Sequence, residues 1–228
     1  MHAGAIMATP EKVLNEIQSL TADLISVGLC VDQNFPSMKR EAGGDVSIGF
    51  SGLEDLSLVL KNIPYADMYS ALKEKRSYNL RMIDGALIQM LYLFRNGQLV
   101  KHRLAMFPSP DLLEYQNNSE IYEEDELYGD IIMKNVVTTP VRFDFDRSAF
   151  IDYEHPMSHF TIGQYKNCRI PVTGPLSPFF FLNFVLRSFY NTPFMKFCQH
   201  IRECKYEFER TITVREQRHI HLQAVMPA

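Results

Sequence analysis

From Tyr78 onward the apolar residues of this chain fall into a two-residue period, and Tyr78–Ile83, Ala86–Arg95 and Gln98–Phe107 read as strands. Asn96-Gly97 separates the last two, a dipeptide whose backbone tolerates the left-handed conformations that a two-residue hairpin demands. Strands joined this tightly run antiparallel, so the middle of the chain is committed to an antiparallel meander.

The flanking segments supply helices. Thr9-Pro10-Glu11 combines a hydroxyl cap, a proline for the first turn and an acid at the positive end of the helix dipole. Val13, Ile17, Leu20 and Leu24 recur at helical spacing and Gly28 can close the run, which predicts a helix over 10–27 behind a flexible leader, Met1–Ala8. Leu29–Val31 and Val46–Phe50 read as extended around a polar turn at Gly43-Gly44, and Pro64–Lys75 as a second helix. Pro108–Asp130 is acidic and irregular. Val136–Asp146, Phe150–Asp152, Ser158–Ile162 and Arg169–Val172 read as further extended segments. Leu176–Tyr190 is an aromatic-rich helix with Ser177 as cap and Pro178 in its first turn, and the tail, Lys205–Gln223, alternates enough for one or two closing strands. The expected fold is α+β: an antiparallel or mixed sheet with the N-terminal helices and the C-terminal aromatic-rich helix packed on it, as one domain over residues 9–228.

Charge and cysteine usage narrow the function. A formal net charge of −4 excludes a uniformly basic surface for nucleic acid and leaves room for a local basic groove. Cys30, Cys168, Cys198 and Cys204 form no Cys-x-x-Cys pair, which points to a reduced, cytoplasmic setting. The most apolar stretch, Phe179–Leu186, is far shorter than the roughly 20 residues needed to span a bilayer, so no membrane association is expected.

The chemistry concentrates in Val141–Tyr190. His155 and His159 can act as general base and general acid near neutral pH, with Lys166 and Arg169 to hold a phosphate and stabilise its transition state. His159-Phe160-Thr161-Ile162 has the His-x-Thr-hydrophobic form of the two-histidine phosphoesterases. Those enzymes need a second such element, and the nearest match, His219-Ile220-His221-Leu222, lacks the hydroxyl residue. A second enzymatic reading places Asp84, Asp144 and Asp146 around a divalent metal such as Mg or Mn. Lys101-His102-Arg103 reads as a solvated basic strand face opposite Leu99, Leu104 and Met106. A third reading is not enzymatic: the rings of the aromatic helix dock a protein partner.

Five segments together resemble an uncharacterised bacterial family, domain of unknown function 2290. They are YNLRMIDGALIQMLYLF (Tyr78–Phe94), HRLAMFPSPDLLEYQNN (His102–Asn118), RFDFD (Arg142–Asp146), HPMSHFTIGQYKNCRIPVTGPLSP (His155–Pro178) and FVLRSFYNTP (Phe184–Pro193). The resemblance implies a cytoplasmic module of the kind found among accessory genes of mobile islands and anti-phage systems. It makes the chain a component of a defence-type system: a nuclease or phosphodiesterase acting on nucleic acid, or a non-catalytic subunit that binds a protein partner encoded in the same operon. It carries no catalytic residues with it, so the site residues rest on their chemistry.

Overall fold

The computed structural model describes residues 7–41, 43–50, 63–111, 139–165, 167–203 and 206–224. Helix α1 (Pro10–Ser26) starts where its cap predicts, with the Lys12 amide donating to Thr9 Oγ1 at 3.3 Å. Gly28, at φ 74°, then turns the chain out of the helix. Strands β1 (Cys30–Gln33), β2 (Pro36–Arg40) and β3 (Asp45–Phe50) follow, then α2 (Tyr65–Glu74) and strands β4 (Leu80–Met82), β5 (Leu87–Arg95) and β6 (Gln98–Phe107). Asn96 and Gly97 both take positive φ, 50° and 76°, and close the β5–β6 hairpin. Strands β7 (Val141–Asp146), β8 (Ser158–Ile162) and β9 (Ile170–Pro171) complete one sheet, and α3 (Pro178–Phe189) and α4 (Asn191–Phe197) come after it.

All the pairings are antiparallel, in the order β1-β4-β5-β6-β7-β8-β9. The β2–β3 hairpin joins the second half of β5, from Ile48 opposite Tyr92 to Asp45 opposite Arg95, while β4 takes the first half. The α+β architecture expected from the sequence is therefore the one observed.

The two faces of the sheet differ. One carries Ile88, Met90, Leu104, Met106, Phe143 and Phe160 against α1 and α3. On α3, Phe181, Leu182, Val185 and Leu186 are buried, each contributing about 2 kcal/mol by removal from water. Phe184 lies edge-on to Phe143 at 5.2 Å and to Phe160 at 5.9 Å. The aromatic excess of this helix is thus largely used in the core, and Phe180 is the ring that faces solvent. The opposite face is covered at one end, where Met68, Tyr69 and Leu72 of α2 pack on Leu87, Ala105 and Phe107. Beyond them that face turns polar.

Four local expectations are corrected. Pro36–Arg40 is a strand; its Lys39 and Arg40 are exposed at the sheet edge, so it shows no apolar alternation. Asn191–Phe197 is a further helix. Phe150–Asp152 is not a strand but part of a turn closed by Ile151 and His155, whose amides each donate to the other's carbonyl at 3.1 and 2.8 Å. The tail forms isolated parallel bridges, Met7 with Glu207 and Val172 with Leu222, in place of closing strands. The Thr211 amide also donates to the Thr173 carbonyl at 2.9 Å and the Tyr206 hydroxyl bonds Glu16 of α1, while just ahead of the tail Arg202 Nη2 donates to Asp23 Oδ1 at 2.7 Å. Most of the acidic stretch after Pro108 lies outside the described residues.

Candidate functional site

Strand β7 alternates strictly: Val141, Phe143 and Phe145 enter the helix-covered core, which sends Arg142, Asp144 and Asp146 to the polar face. Antiparallel pairing extends that alternation sideways. Arg103 on β6, Asp144 on β7 and His159 on β8 form one cross-strand row, and Ala105, Arg142 and Thr161 form the next.

Arg103 Nε donates to Asp144 Oδ1 at 3.0 Å, and Arg142 Nε lies 3.5 Å from Oδ2. The three side chains are only 12%, 15% and 14% exposed for Arg103, Arg142 and Asp144. Burial alone would raise the Asp144 pKa, but Arg103 and Arg142, helped by His159, outweigh it and hold the carboxyl below its ordinary value. Asp146, next but one on β7, receives Ser148 N at 2.9 Å and Ser148 Oγ at 2.6 Å and pairs with Lys101 Nζ at 2.9 Å.

His159 is 5% exposed, and its Nδ1 sits 3.0 Å from the Pro156 carbonyl oxygen. A carbonyl only accepts, so Nδ1 carries the proton and the neutral ring keeps its lone pair on Nε2. Burial lowers the His159 pKa; the attraction of Asp144 opposes this only in part, while His155 and Arg169 push the same way as burial. The His155 ring stands edge-on to it, with centroids 4.9 Å apart. Arg169, just before β9, is close enough to depress both His159 and Arg142. Arg103, Arg142 and Arg169 stand against a single carboxylate, Asp144, beside the neutral His159, leaving about two positive charges in excess. That balance suits an anion.

A protein-family model described as an uncharacterized conserved protein (DUF2290) matches residues 29–224. The chain belongs to this family. The match takes in all nine strands of the described residues and leaves α1 outside it. No curated protein matches the chain, and no solved structure does.

Of the residues singled out in this DUF2290 chain, His155, His159 and Arg169 come together, and Asp144 joins them in the row. Lys166 lies outside the described residues. Asp84 stands apart from Asp144 and Asp146. It sits in the β4–β5 turn, where its Oδ1 accepts from the Ala86 amide at 3.1 Å and from the Tyr190 hydroxyl at 2.6 Å. Four residue steps of β5 separate the Leu87 pair from the Leu91–Arg103 pair, about 13 Å of strand, so the three acids share no shell. Among the described residues, no three His, Cys, Asp or Glu side chains are grouped to hold a metal, nor is any helix long and apolar enough to cross a membrane.

Arg103 is hidden in the sequence within a basic strand face that reads as solvated, and Arg142 carries no motif of its own. Their convergence depends on the β6–β7 register, which residue spacing does not encode. His102 faces the other way: its Nε2 accepts the Leu176 amide at 3.2 Å, and burial takes its pKa down to about 3. The parallel bridge from Val172 to Leu222 sets His221 beside Pro171, and Pro171 pairs with His159. His221 therefore extends the His159 row, two strand spacings or about 10 Å away.

Proposed function

We propose that this DUF2290 chain acts on the phosphodiester backbone of nucleic acid, as a nuclease or phosphodiesterase component of a defence-type or mobile-element system. The observation that carries this reading is the row Arg103–Asp144–His159 with Arg142, Arg169 and His155 around it: a surplus of cationic donors beside an imidazole kept neutral. Arg103, Arg142 and Arg169 hold the phosphate oxygens and stabilise charge that grows there during displacement. His159 Nε2 takes the proton from the attacking hydroxyl or water, and a second imidazole, His155 or His221, returns one to the departing oxygen. A non-catalytic, partner-binding role has less support, since Phe181 of the aromatic helix is buried and Phe179, Phe184 and Phe189 pack, partly buried, against the core.

The test is incubation of the purified chain with labelled single-stranded and duplex RNA and DNA, with magnesium, with manganese and with EDTA, beside His155→Ala and His159→Ala proteins. Cleavage that survives EDTA and is lost on His159→Ala upholds the reading. Cleavage that is undiminished in both variants refutes it.

A further inference from the structure

The turn that leads into the histidine pair carries an unusual residue at its tip. Tyr153 has φ 72°, a left-handed backbone that L side chains other than Asn and Asp seldom adopt, yet the residue is 50% exposed. Core packing does not explain a strained, half-open aromatic ring. Its neighbours come from the tail: the Arg215 guanidinium lies over one face of the ring, its carbon 4.7 Å from the centroid, and the His219 ring meets it edge-on at 5.0 Å. Arg215 is itself positioned. Thr213 and Glu216 bond reciprocally, amide to carboxylate at 2.8 Å and amide to hydroxyl at 3.2 Å, and Asp152 reaches both Thr213 and Arg215. Two residues beyond Tyr153 is His155, whose ring lies against His159.

We propose that Tyr153, with Arg215 and His219, is a stacking platform for a base of single-stranded nucleic acid whose adjoining phosphate enters the Arg103–Asp144–His159 cluster. The proposal rests on the phosphodiester reading and names its substrate class. Every base has a π-face, so a base stacking on the Tyr153 face away from Arg215 is bound with little regard to sequence, whereas stacked bases in a duplex are closed to it. The charge agrees. Asp152 is paired to Arg215, and Arg169 acts on His159, adding to the surplus of the cluster itself.

The experiment is fluorescence anisotropy with labelled oligothymidylate, oligouridylate and a duplex of equal length at low salt, using the wild type, Tyr153→Gly, Tyr153→Phe and Arg169→Ala. Glycine relieves the left-handed backbone, so Tyr153→Gly removes the ring without threatening the turn. The expected result is preference for single strands, binding weakened about 5- to 100-fold by Tyr153→Gly, and retention in Tyr153→Phe. If Arg169→Ala weakens binding and Tyr153→Gly does not, the platform is overturned and the phosphate reading stands. Duplex bound as well as single strands overturns the platform too. No binding of any oligonucleotide overturns both and gives this edge to a protein partner.

Discussion

Asp144 lies directly across the β7–β8 ladder from His159, and the same carboxylate takes the Arg103 guanidinium from the β6 side. One buried acid therefore balances a cation on one neighbouring strand and faces an imidazole on the other. Replacing it by asparagine leaves Arg103 and Arg142 largely buried without a countercharge. Asp144→Asn is expected to cost about 3 kcal/mol, read as a lowered urea midpoint with unchanged slope. A loss below 1 kcal/mol would show the pair to be solvent-screened.

The lowered pKa of His159 sets the acid limb of activity. Its neutral form is present throughout the neutral range and is lost only once the pH falls below the ordinary histidine value of 6.5. The rate of any cleavage is expected to be flat on this limb from pH 7 to 6.5 and to fall at lower pH. Replacement of His159 by alanine is expected to lower it by about 10²- to 10⁴-fold. A limb centred above pH 7 sinks the assignment of His159 as the base.

His102 makes stability depend on acid. In the folded chain its pKa is about 3, against 6.5 in an unfolded one, so below pH 6.5 the unfolded state binds a proton that the native state refuses. Stability is intact above 6.5 and falls by about 1.4 kcal/mol per pH unit as the pH drops toward 3. His102→Gln keeps an acceptor for the Leu176 amide and removes the titration. Denaturation at pH 7 and 5 is expected to show a smaller loss in the variant, by about 2 kcal/mol; equal losses contradict a neutral buried His102.

Asp84 belongs to the scaffold. Its bonds to the Ala86 amide and the Tyr190 hydroxyl join the β4–β5 turn to the end of α3. Tyr190→Phe is expected to cost about 1–2 kcal/mol and to leave oligonucleotide binding unaltered. An Asp84→Asn protein that folds normally but changes the metal dependence of cleavage would return Asp84 to the site.

Local signals placed most of the elements because they act over a few residues. Thr9-Pro10 and Ser177-Pro178 start their helices through bonds three residues on, and Asn96-Gly97 closes its hairpin through its own dihedral angles. Where the determinant was not local, the reading failed: β2 owes its existence to its pairing with β3, and the tail is tied down by Glu16 and Thr173, neither of them near it in the chain.

The site divides in the same way. By itself the sequence determined that Arg142, Asp144 and Asp146 share one face of a strand, that His159 and Thr161 share another, and that His155 lies near His159, since side-chain direction in a strand alternates with a period of two. Only the tertiary structure decided which strands lie side by side and in what register. That choice put Arg103 and His159 on either side of Asp144, turned His102 inward, separated Asp84 from the other acids and brought Arg215 and His219 to Tyr153. Register is set by burial of one whole face of the sheet under α1 and α3, a sum over many apolar residues that no single motif records.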